Sequence, residues 1–350
     1  MRFLIEAHHP AHIHFWKYPI RELQERGHEA LMIGRDRDVM KRLLSVYDWI
    51  NAETPPRPST RNLFPLREMV SRQWTVAKII RRFKPDVVAS VMGSYCQSAR
   101  LFGCRNVIFT DSEFQHFNHR IAHPFADEIH TPECFYKDLG RKQRRYNGIH
   151  ELTFLDEEHF KPDAKVLNKL PGLTPKKYIL VRLSAWNTMH DIRRQGIGDR
   201  IHKFINHFES HYRIIVSAEE GKVPPGLEDR AIKIAPEDFH QIVAHSRFVL
   251  TEGASTASEA GCLGVPAVFI NSTEPRGYLL MLERTFRIVR NFQNPSEGMA
   301  AATTWLNSIS TSDNQDFGHV RNDLTTSHDN VSSYVVSVLE RGRQPSRDTI

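Results

Sequence analysis

Four histidines stand within seven residues early in the chain, in the stretch HHPAHIHFW that follows the apolar run RFLIEA. Imidazole side chains beyond a strand end can transfer protons near neutral pH or hold a metal ion. His8, His12 and His14 are spaced so that they can converge on one ion. However, no cysteine stands nearby, and no carboxylate can be identified that would support a metal-bound histidine. We therefore expect a functional loop that binds no metal, and histidines that are only buried or solvated are the alternative.

The second candidate stretch is TEGASTASEAGCLGVPAVFI, residues 251–270. It predicts a strand end, a glycine turn, a short helix closed by another glycine, and the entry to a further strand. Gly253 permits the tight turn, and Ser255 or Thr256 can cap the helix, whose first backbone amides form an anion site. Glu259 stands about one turn into the helix, where its carboxylate can accept hydrogen bonds from a ribose diol. The stretch lacks the lysine of a Walker loop, and an ordinary βαβ unit is the alternative.

Charged residues follow two other predicted strands. Asp111 and Glu113 come directly after the run NVIFT, where carboxylates can transfer protons. Arg182 and Ser184 stand at the end of YILVRL, and an arginine there can donate several parallel hydrogen bonds to a phosphate. A capping role for Asp111 and a structural salt bridge for Arg182 are the alternatives.

Strand-like and helix-like segments alternate along the chain, which predicts parallel sheets with helical crossovers. RFLIEA, EALMIGR, PDVVASV and NVIFTD indicate strands of the first half, and YILVRLSA, YRIIVSA, AIKIA, RFVLTE and PAVFI indicate strands of the second. A linker with prolines and glycine separates the halves near residues 160–175. We expect an α/β protein with two Rossmann-like domains, residues 1–165 and 166–340, and a tail, residues 341–350. Ligands bind beyond the carboxyl ends of such strands, so we expect the two sheets to face a central cleft.

The composition is that of a globular protein, with 350 residues, 40% hydrophobic and 25% charged, and a net charge of +6. No run is long enough for a membrane span, no signal peptide is recognisable, and the four cysteines form no CxxC pair. These features predict a cytoplasmic protein. The basic charge suits an anionic substrate, and nucleic acid is not expected because its recognition motifs are absent. The amphipathic segment LREMVSRQWTVAKIIRRF can lie on an anionic membrane or pack on the core with a solvated basic face.

The stretch 251–270 resembles the nucleotide-sugar signature of GT-B fold glycosyltransferases, especially the enzyme that uses UDP-N-acetylglucosamine to make lipid II. It is equally similar to the non-hydrolysing UDP-N-acetylglucosamine 2-epimerases, which share the fold, and NSTEPRGY, residues 271–278, resembles a Thr-Glu-Arg-Pro stretch of those epimerases. The whole chain also resembles a group of predicted GT-B proteins linked to surface polysaccharides, in the Arg-x-x-x-Trp and His-Asp features near residues 182–191. The resemblance implies the GT-B fold and a nucleotide-sugar substrate.

The resemblance also implies roles for individual residues. The diphosphate would face the glycine turn, and Glu259 would hold the ribose. His12 takes the place of a histidine of the lipid-II-forming family, so it is expected to deprotonate an acceptor hydroxyl, although a proline and an alanine replace that family's glycines. Asp111 and Glu113 stand in a place comparable to that of carboxylates that transfer protons or stabilise the intermediate in the epimerases. The predicted substrate-binding residues are Arg182, Ser184, His190, Gly253, Ala254, Ser255, Thr256, Glu259 and Arg276; the predicted catalytic residues are His12, Asp111 and Glu113, with His8 and His14 as secondary candidates.

We therefore predict a metal-independent glycosyltransferase without a cofactor. It would move a sugar from a nucleotide-sugar donor, UDP-linked by this interpretation, to a glycan or lipid-linked acceptor in the synthesis of surface polysaccharide or glycolipid. An isomerase similar to the 2-epimerases is the first alternative, and a nucleotide- or glycan-binding protein without activity is the second. A peripheral contact with the inner face of the membrane and a homodimer are both compatible with the sequence.

Overall fold

The computed structural model of this chain describes residues 1–55, 65–184, 197–198, 200–218, 223–310 and 317–341, without the side chains of residues 65–70 and 118. The predicted substrate-binding residue His190 lies outside the described residues. The chain folds into two compact units. The first comprises Met1–Phe154 together with the segment that begins at His328, and the second comprises Leu155–Ser327. Residues 155–165 thus lie in the second unit and the segment from His328 in the first, whereas the sequence predicts a single division after residue 165.

The described residues of the first unit contain, before its last segment, seven strands and five α-helices. The strands are β1 (Arg2–Ala7), β2 (Glu29–Gly34), β3 (Ala52–Glu53), β4 (Val87–Ser90), β5 (Arg105–Phe109), β6 (Glu128–Pro132) and β7 (Gln143–Tyr146). The helices are α1 (Pro10–Glu25), α2 (Asp38–Val46), α3 (Pro65–Phe83), α4 (Cys96–Leu101) and α5 (His116–Ala122). The strands form one parallel sheet in the order β3-β2-β1-β4-β5-β6-β7. The strand order reverses between β1 and β4, which makes their carboxyl ends the expected ligand position of this sheet.

The central strands of this sheet consist mostly of apolar residues, because helices cover both faces of a parallel sheet. Leu4, Ile5 and Val88 are completely buried, as expected for uninterrupted β-branched and aliphatic runs between two layers of helices. Helix α1 starts with Pro10, whose missing amide hydrogen is not needed at a first helical position. Gly27, which follows α1, has a φ of 81°, a conformation that favours glycine.

Helix α3 confirms the predicted amphipathic helix. Val76, Ile79 and Ile80 are buried in the core of the first unit. Trp74 on the same helix is 66% exposed, and the ammonium of Lys78 lies 5.8 Å from its ring centroid. Among the described residues, no helix combines the length and the apolar character that a membrane crossing requires.

The described part of the second unit contains five strands and six α-helices. The strands are β8 (Tyr178–Leu183), β9 (Arg213–Ala218), β10 (Phe248–Thr251), β11 (Ala267–Ile270) and β12 (Val289–Phe292). The helices are α6 (Arg200–Phe208), α7 (Phe239–His245), α8 (Ala254–Cys262), α9 (Gly277–Arg284), α10 (Pro295–Ser310) and α11 (Gly318–Ser327). All strands are parallel, in the order β12-β11-β10-β8-β9, and the order reverses between β8 and β10.

One predicted strand of the second unit is wrong. The run AIKIA, residues 231–235, forms only an isolated bridge between Ala231 and Val216 of β9. None of its residues is fully buried, so it lies along an exposed edge and contributes little to the core. The fifth strand is instead β12, whose sequence VRNF carries polar residues and gave no strand signal. The two parallel sheets predicted from the sequence are otherwise confirmed.

The chain returns to the first unit in its last described helix, α12 (Val331–Glu340). The buried guanidinium of Arg105 donates hydrogen bonds from Nη1 to the carbonyl oxygens of Val338, Leu339 and Arg341, at 2.8, 3.2 and 3.0 Å. These are carbonyls at the carboxyl end of a helix, which lack partners within the helix and attract a positive charge. Arg105 thereby fixes α12 to the sheet of the first unit.

Candidate functional site

A buried polar cluster lies where β1 and β4 end, at the strand-order reversal of the first unit. Glu6 is completely buried, and its Oε1 lies 3.0 Å from Nδ1 of His8. Its Oε2 accepts a hydrogen bond of 3.0 Å from the backbone N–H of Ser94. Nε2 of His8 lies 3.1 Å from the hydroxyl of Tyr95. Burial alone would raise the pKa of Glu6, but His8 and Ser94 together lower it, so this carboxylate is ionised at neutral pH.

His12 adjoins this cluster in a defined protonation state. Its Nδ1 accepts a hydrogen bond of 3.2 Å from the backbone N–H of His8. Because a backbone N–H can only donate, Nδ1 carries the lone pair and the ring proton is on Nε2. Burial, reinforced by the neighbouring imidazole of His9, lowers the pKa of His12 to about 3. His12 is therefore a neutral hydrogen-bond donor at pH 7, and this geometry does not favour the predicted role as a base.

The structure separates His14 from this cluster. His14 is buried on α1 with its ring stacked on Phe154, at a centroid distance of 5.4 Å, and next to the ring of Tyr47. Of the predicted histidines, His8 and His12 are thus brought together at the strand-order reversal, and His14 packs among aromatic side chains.

Asp111, a predicted catalytic residue, pairs with a histidine that the sequence analysis did not identify. Its Oδ2 lies 3.2 Å from Nδ1 of His150, in the short 3₁₀ helix His150–Thr153. Burial would lower the pKa of His150, but the charge of Asp111 raises it overall. Glu113 is completely buried, and its backbone carbonyl accepts a hydrogen bond of 2.8 Å from Lys137. No motif or periodicity marks His150 in the sequence, because its partner lies on a distant strand end.

In the second unit, a buried carboxylate lies directly after β10. Glu252, at the end of β10, is 2% exposed and accepts hydrogen bonds from the backbone N–H groups of Ser184 and Ile197, at 3.1 and 2.9 Å. The predicted residue Arg182 donates a hydrogen bond of 2.7 Å from Nη1 to Ser217, and its guanidinium lies 5.3 Å from the ring centroid of Phe239. The sequence predicts Glu252 only as the last residue of a strand and indicates no functional role for it.

The predicted anion site at the start of α8 has the expected local structure. Gly253 is the residue that caps the helix, and within the described residues no side chain forms a capping hydrogen bond there. Ser255 is exposed, Ala254 is half-buried and Thr256 is buried. The amides of the first turn, together with the helix dipole, therefore make the beginning of α8 suited to bind an anion. This helix start lies at the carboxyl edge of the sheet, beside the strand-order reversal.

Glu259, the residue predicted to hold a ribose, is buried on α8 and pairs with α7. Its Oε1 lies 3.2 Å from Nε2 of His240. The predicted residue Arg276 follows β11, is half-buried, and occupies the position before the first residue of α9. His240 is a further residue that sequence analysis missed, since only the packing of α7 on α8 places it beside Glu259.

Among the described residues, one group of side chains has the geometry to hold a metal ion. It consists of Asp156, Glu158 and His159 in the second unit, whose ligand atoms lie within 4.8 Å of one another. Oδ1 of Asp156 is already engaged by the backbone N–H of His159 at 2.8 Å and lies 2.7 Å from its Nδ1. This group lies apart in sequence from every predicted site residue.

Solved structures similar to this chain extend over nearly its whole length. The UDP-GlcNAc 2-epimerase from Neisseria meningitidis bound to UDP-GlcNAc has a TM-score of 0.73 at 11% identity, covering 97% of this chain and 99% of that chain. The UDP-GlcNAc 2-epimerase from Methanocaldococcus jannaschii has a TM-score of 0.66 at 12% identity, with 97% and 99% covered. The spinosyn rhamnosyltransferase SpnG has a TM-score of 0.58 at 12% identity, again with 97% and 99% covered.

These likenesses confirm the predicted GT-B fold with two Rossmann-like units. No curated protein matches the chain in sequence. A family model with the description "Protein of unknown function (DUF354)" matches residues 1–289, which is more than half of the chain. The chain therefore belongs to the DUF354 family.

Proposed function

We propose that this protein is an enzyme that acts on a nucleotide sugar, and more specifically a glycosyltransferase that moves a sugar from a UDP-linked donor to an acceptor hydroxyl. The acceptor would be a glycan or a lipid-linked molecule of surface polysaccharide or glycolipid synthesis. The fold supports the substrate class, because the similar structures include a spinosyn rhamnosyltransferase and an epimerase bound to UDP-GlcNAc. The basic net charge of +6 is also compatible with an anionic substrate.

The observation that carries the proposal is the start of α8. Its first-turn amides follow Gly253 without a capping side chain in the described structure, at the carboxyl end of β10. A Cβ atom built on Gly253 would find only ordinary contacts, the nearest at 3.5 Å. A diphosphate placed there would accept hydrogen bonds from the amides and gain from the helix dipole. The same groups would stabilise the charge that develops on the diphosphate as it leaves, and the proposed reaction uses no metal ion for this.

Glu259 would anchor the nucleoside. Its carboxylate is buried, and the contact of Oε1 with His240 fixes its orientation. A carboxylate held in this way can accept hydrogen bonds from the two hydroxyl groups of a ribose, and hydrogen bonds to charged groups contribute about 1.5–3 kcal/mol each. Arg182 and Arg276, both predicted to bind substrate, are the cations nearest in sequence to the ends of β8 and β11.

Calorimetric titration tests this proposal. UDP, GDP, ADP, CMP and dTDP, with their common sugar conjugates, would be titrated into the parent protein and the Glu259→Gln variant. We expect one nucleotide class to bind and Glu259→Gln to weaken it at least about tenfold, the loss of one such hydrogen bond. Glu209→Gln is the matched control, because Glu209 follows α6 at the opposite edge of the same sheet and pairs with Arg230. Equal affinity in the parent and Glu259→Gln would remove the ribose assignment.

The second candidate function is that of a UDP-N-acetylglucosamine 2-epimerase. It is supported by the two epimerases among the similar structures above, at TM-scores of 0.73 and 0.66, and by the carboxylates Asp111 and Glu113 beyond β5. An epimerase would convert UDP-GlcNAc into its C2 epimer without an acceptor and would incorporate solvent deuterium at C2. Proton NMR of UDP-GlcNAc incubated with the protein in D₂O separates the two functions, since a transferase leaves that position protonated.

A further inference from the structure

Asp111 and His150 stand at the carboxyl edge of the first unit's sheet. Asp111 follows β5, and the 3₁₀ helix His150–Thr153 follows β7, two strands further along the sheet. The distance of 3.2 Å from Oδ2 of Asp111 to Nδ1 of His150 places the carboxylate where it accepts a hydrogen bond from an Nδ1–H group. In the neutral imidazole this leaves the lone pair on Nε2, which is then the atom able to accept a proton.

Two polar atoms close to Asp111 are buried without a hydrogen-bond partner in the described part of the chain. They are Nε2 of His150 and the hydroxyl oxygen of Tyr146. His150 is 8% exposed and Tyr146 is 3% exposed, and the ring of Phe15 lies 4.4 Å from the ring of His150. A buried polar group without a partner is unfavourable, so both atoms are available for hydrogen bonds to a bound molecule with hydroxyl groups. Such groups are characteristic of a glycan acceptor.

The charges around His150 favour a proton acceptor that works near neutral pH. Burial lowers the pKa of His150, whereas Asp111 and then Glu151 raise it above its ordinary value. Cys134 and Tyr146 also face Asp111, and burial raises the pKa of both, so that both are neutral at pH 7. His12 is a further titratable group that interacts with His150. By contrast, His12 has its ring proton on Nε2 and a pKa of about 3.

We infer that His150, positioned by Asp111, is the general base of the proposed transfer and accepts the proton of the acceptor hydroxyl. This inference rests on the proposed function. The acceptor oxygen forms a bond to the anomeric carbon of the donor sugar as its proton moves to Nε2 of His150. The bond from that carbon to the diphosphate oxygen breaks, and its electron pair leaves with the nucleoside diphosphate. Asp111 stays ionised and stabilises the imidazolium.

NMR titration of the histidine ring signals in the full chain tests the pair without a substrate. The His150→Gln variant assigns the signal. We expect His150 to titrate above the ordinary histidine value of about 6.5 and Asp111→Asn to lower that pKa by at least about one pH unit. Asp138→Asn is the matched control, an exposed aspartate of the same unit, and should leave the His150 signal unchanged. A His150 pKa that is the same in the parent and in Asp111→Asn would overturn the pairing.

Turnover then tests the catalytic role. Release of the nucleotide from the nucleotide sugar that binds best in calorimetry would be followed in the parent, His150→Gln and Asp111→Asn. We expect His150→Gln to lower the rate at least about 100-fold while its Kd for the nucleotide sugar stays within about twofold. In Asp111→Asn the acid limb of the pH–rate profile should move to lower pH. Unchanged turnover in His150→Gln at unchanged Kd would overturn the role of His150 alone, whereas the absence of binding to any nucleotide sugar in the parent would overturn the proposed function and this role together.

Discussion

The substitution Ser255→Asp should have opposite effects on stability and on ligand binding. Ser255 is the second residue of α8 and is exposed. A negative charge in the first turn interacts favourably with the helix dipole and stabilises a helix by about 0.3–1 kcal/mol. The same charge occupies the place proposed for the diphosphate, so it should repel that ligand. Few substitutions that merely damage a fold would raise stability and lower affinity together.

The expected loss of affinity follows from Coulomb's law. Two unit charges about 6 Å apart repel each other by roughly 0.7–3 kcal/mol for effective dielectric constants between about 80 and 20. Each 1.4 kcal/mol corresponds to a factor of ten, so we expect affinity for UDP to fall between about threefold and 100-fold. The melting temperature should rise by about 1–3 °C in the absence of ligand. The repulsion should weaken at high salt, because an exposed charge is screened.

Calorimetry with UDP and thermal unfolding would be run on the parent, Ser255→Asp and a control. Ser333→Asp is a matched control, because Ser333 is also exposed in the first turn of a helix, α12 of the first unit, where its backbone N–H bonds to Asn330. The control should gain a similar stability and bind UDP as the parent does. Unchanged UDP affinity in Ser255→Asp would refute the placement of the diphosphate at α8.

Three other predictions test separate parts of the structure. If His12 donates a hydrogen bond from Nε2, the His12→Gln variant keeps a donor near that position and should retain UDP-sugar turnover within about tenfold. The His12→Asn variant should lose more turnover, and equal losses in the two variants would contradict a donor role. The pKa of Glu128 is lowered to about 2, first by its hydrogen bond with His130, so its carboxylate stabilises the fold above pH 4.5 and this contribution is lost as the pH falls towards 2. The melting temperature of Glu128→Gln should therefore fall less steeply at acid pH than that of the parent. An identical dependence on pH would exclude this carboxylate as its source. A methyl group added at Gly148 would overlap the side chain of Val331, so Gly148→Ala should lower the free energy of unfolding in urea by about 1–3 kcal/mol. The double variant with Val331→Ala should recover part of this loss. No recovery would show that the clash is not the cause.

The strands that the sequence predicts correctly are those buried on both faces. β1, β4 and β10 are short apolar runs, and such runs need no alternation because helices cover both sides of the sheet. β6 and β7 were missed because EIHTP and QRRY carry charged and polar side chains. The charged and polar side chains are stabilised by partners on other strands. Glu128 of β6, for example, pairs with Arg105 of β5 at 2.7 Å, a contact that the periodicity of one strand does not reveal.

In the candidate site, too, contacts between residues close together in the sequence could be predicted and contacts between distant residues could not. Residues 253–259 form one turn and one helix, so spacing along the chain is enough to predict their arrangement. The pair of Asp111 and His150 joins residues on two different strand ends and depends on the completed sheet. The proton position of His12 depends on the direction of one backbone N–H group in the preceding loop, and no pattern of residue types encodes that direction.

The discontinuity of the first unit has a consequence for its synthesis on the ribosome. The second unit is one uninterrupted stretch, Leu155–Ser327, so all of its strands and helices leave the ribosome in succession. The first unit must wait for α12, and until then Arg105 lacks the helix carbonyls that it binds in the finished protein. The amino-terminal sheet is therefore made first but completed last, contrary to the usual order in which amino-terminal domains finish folding first. During that interval the side of α1 that α12 covers in the finished protein stays exposed.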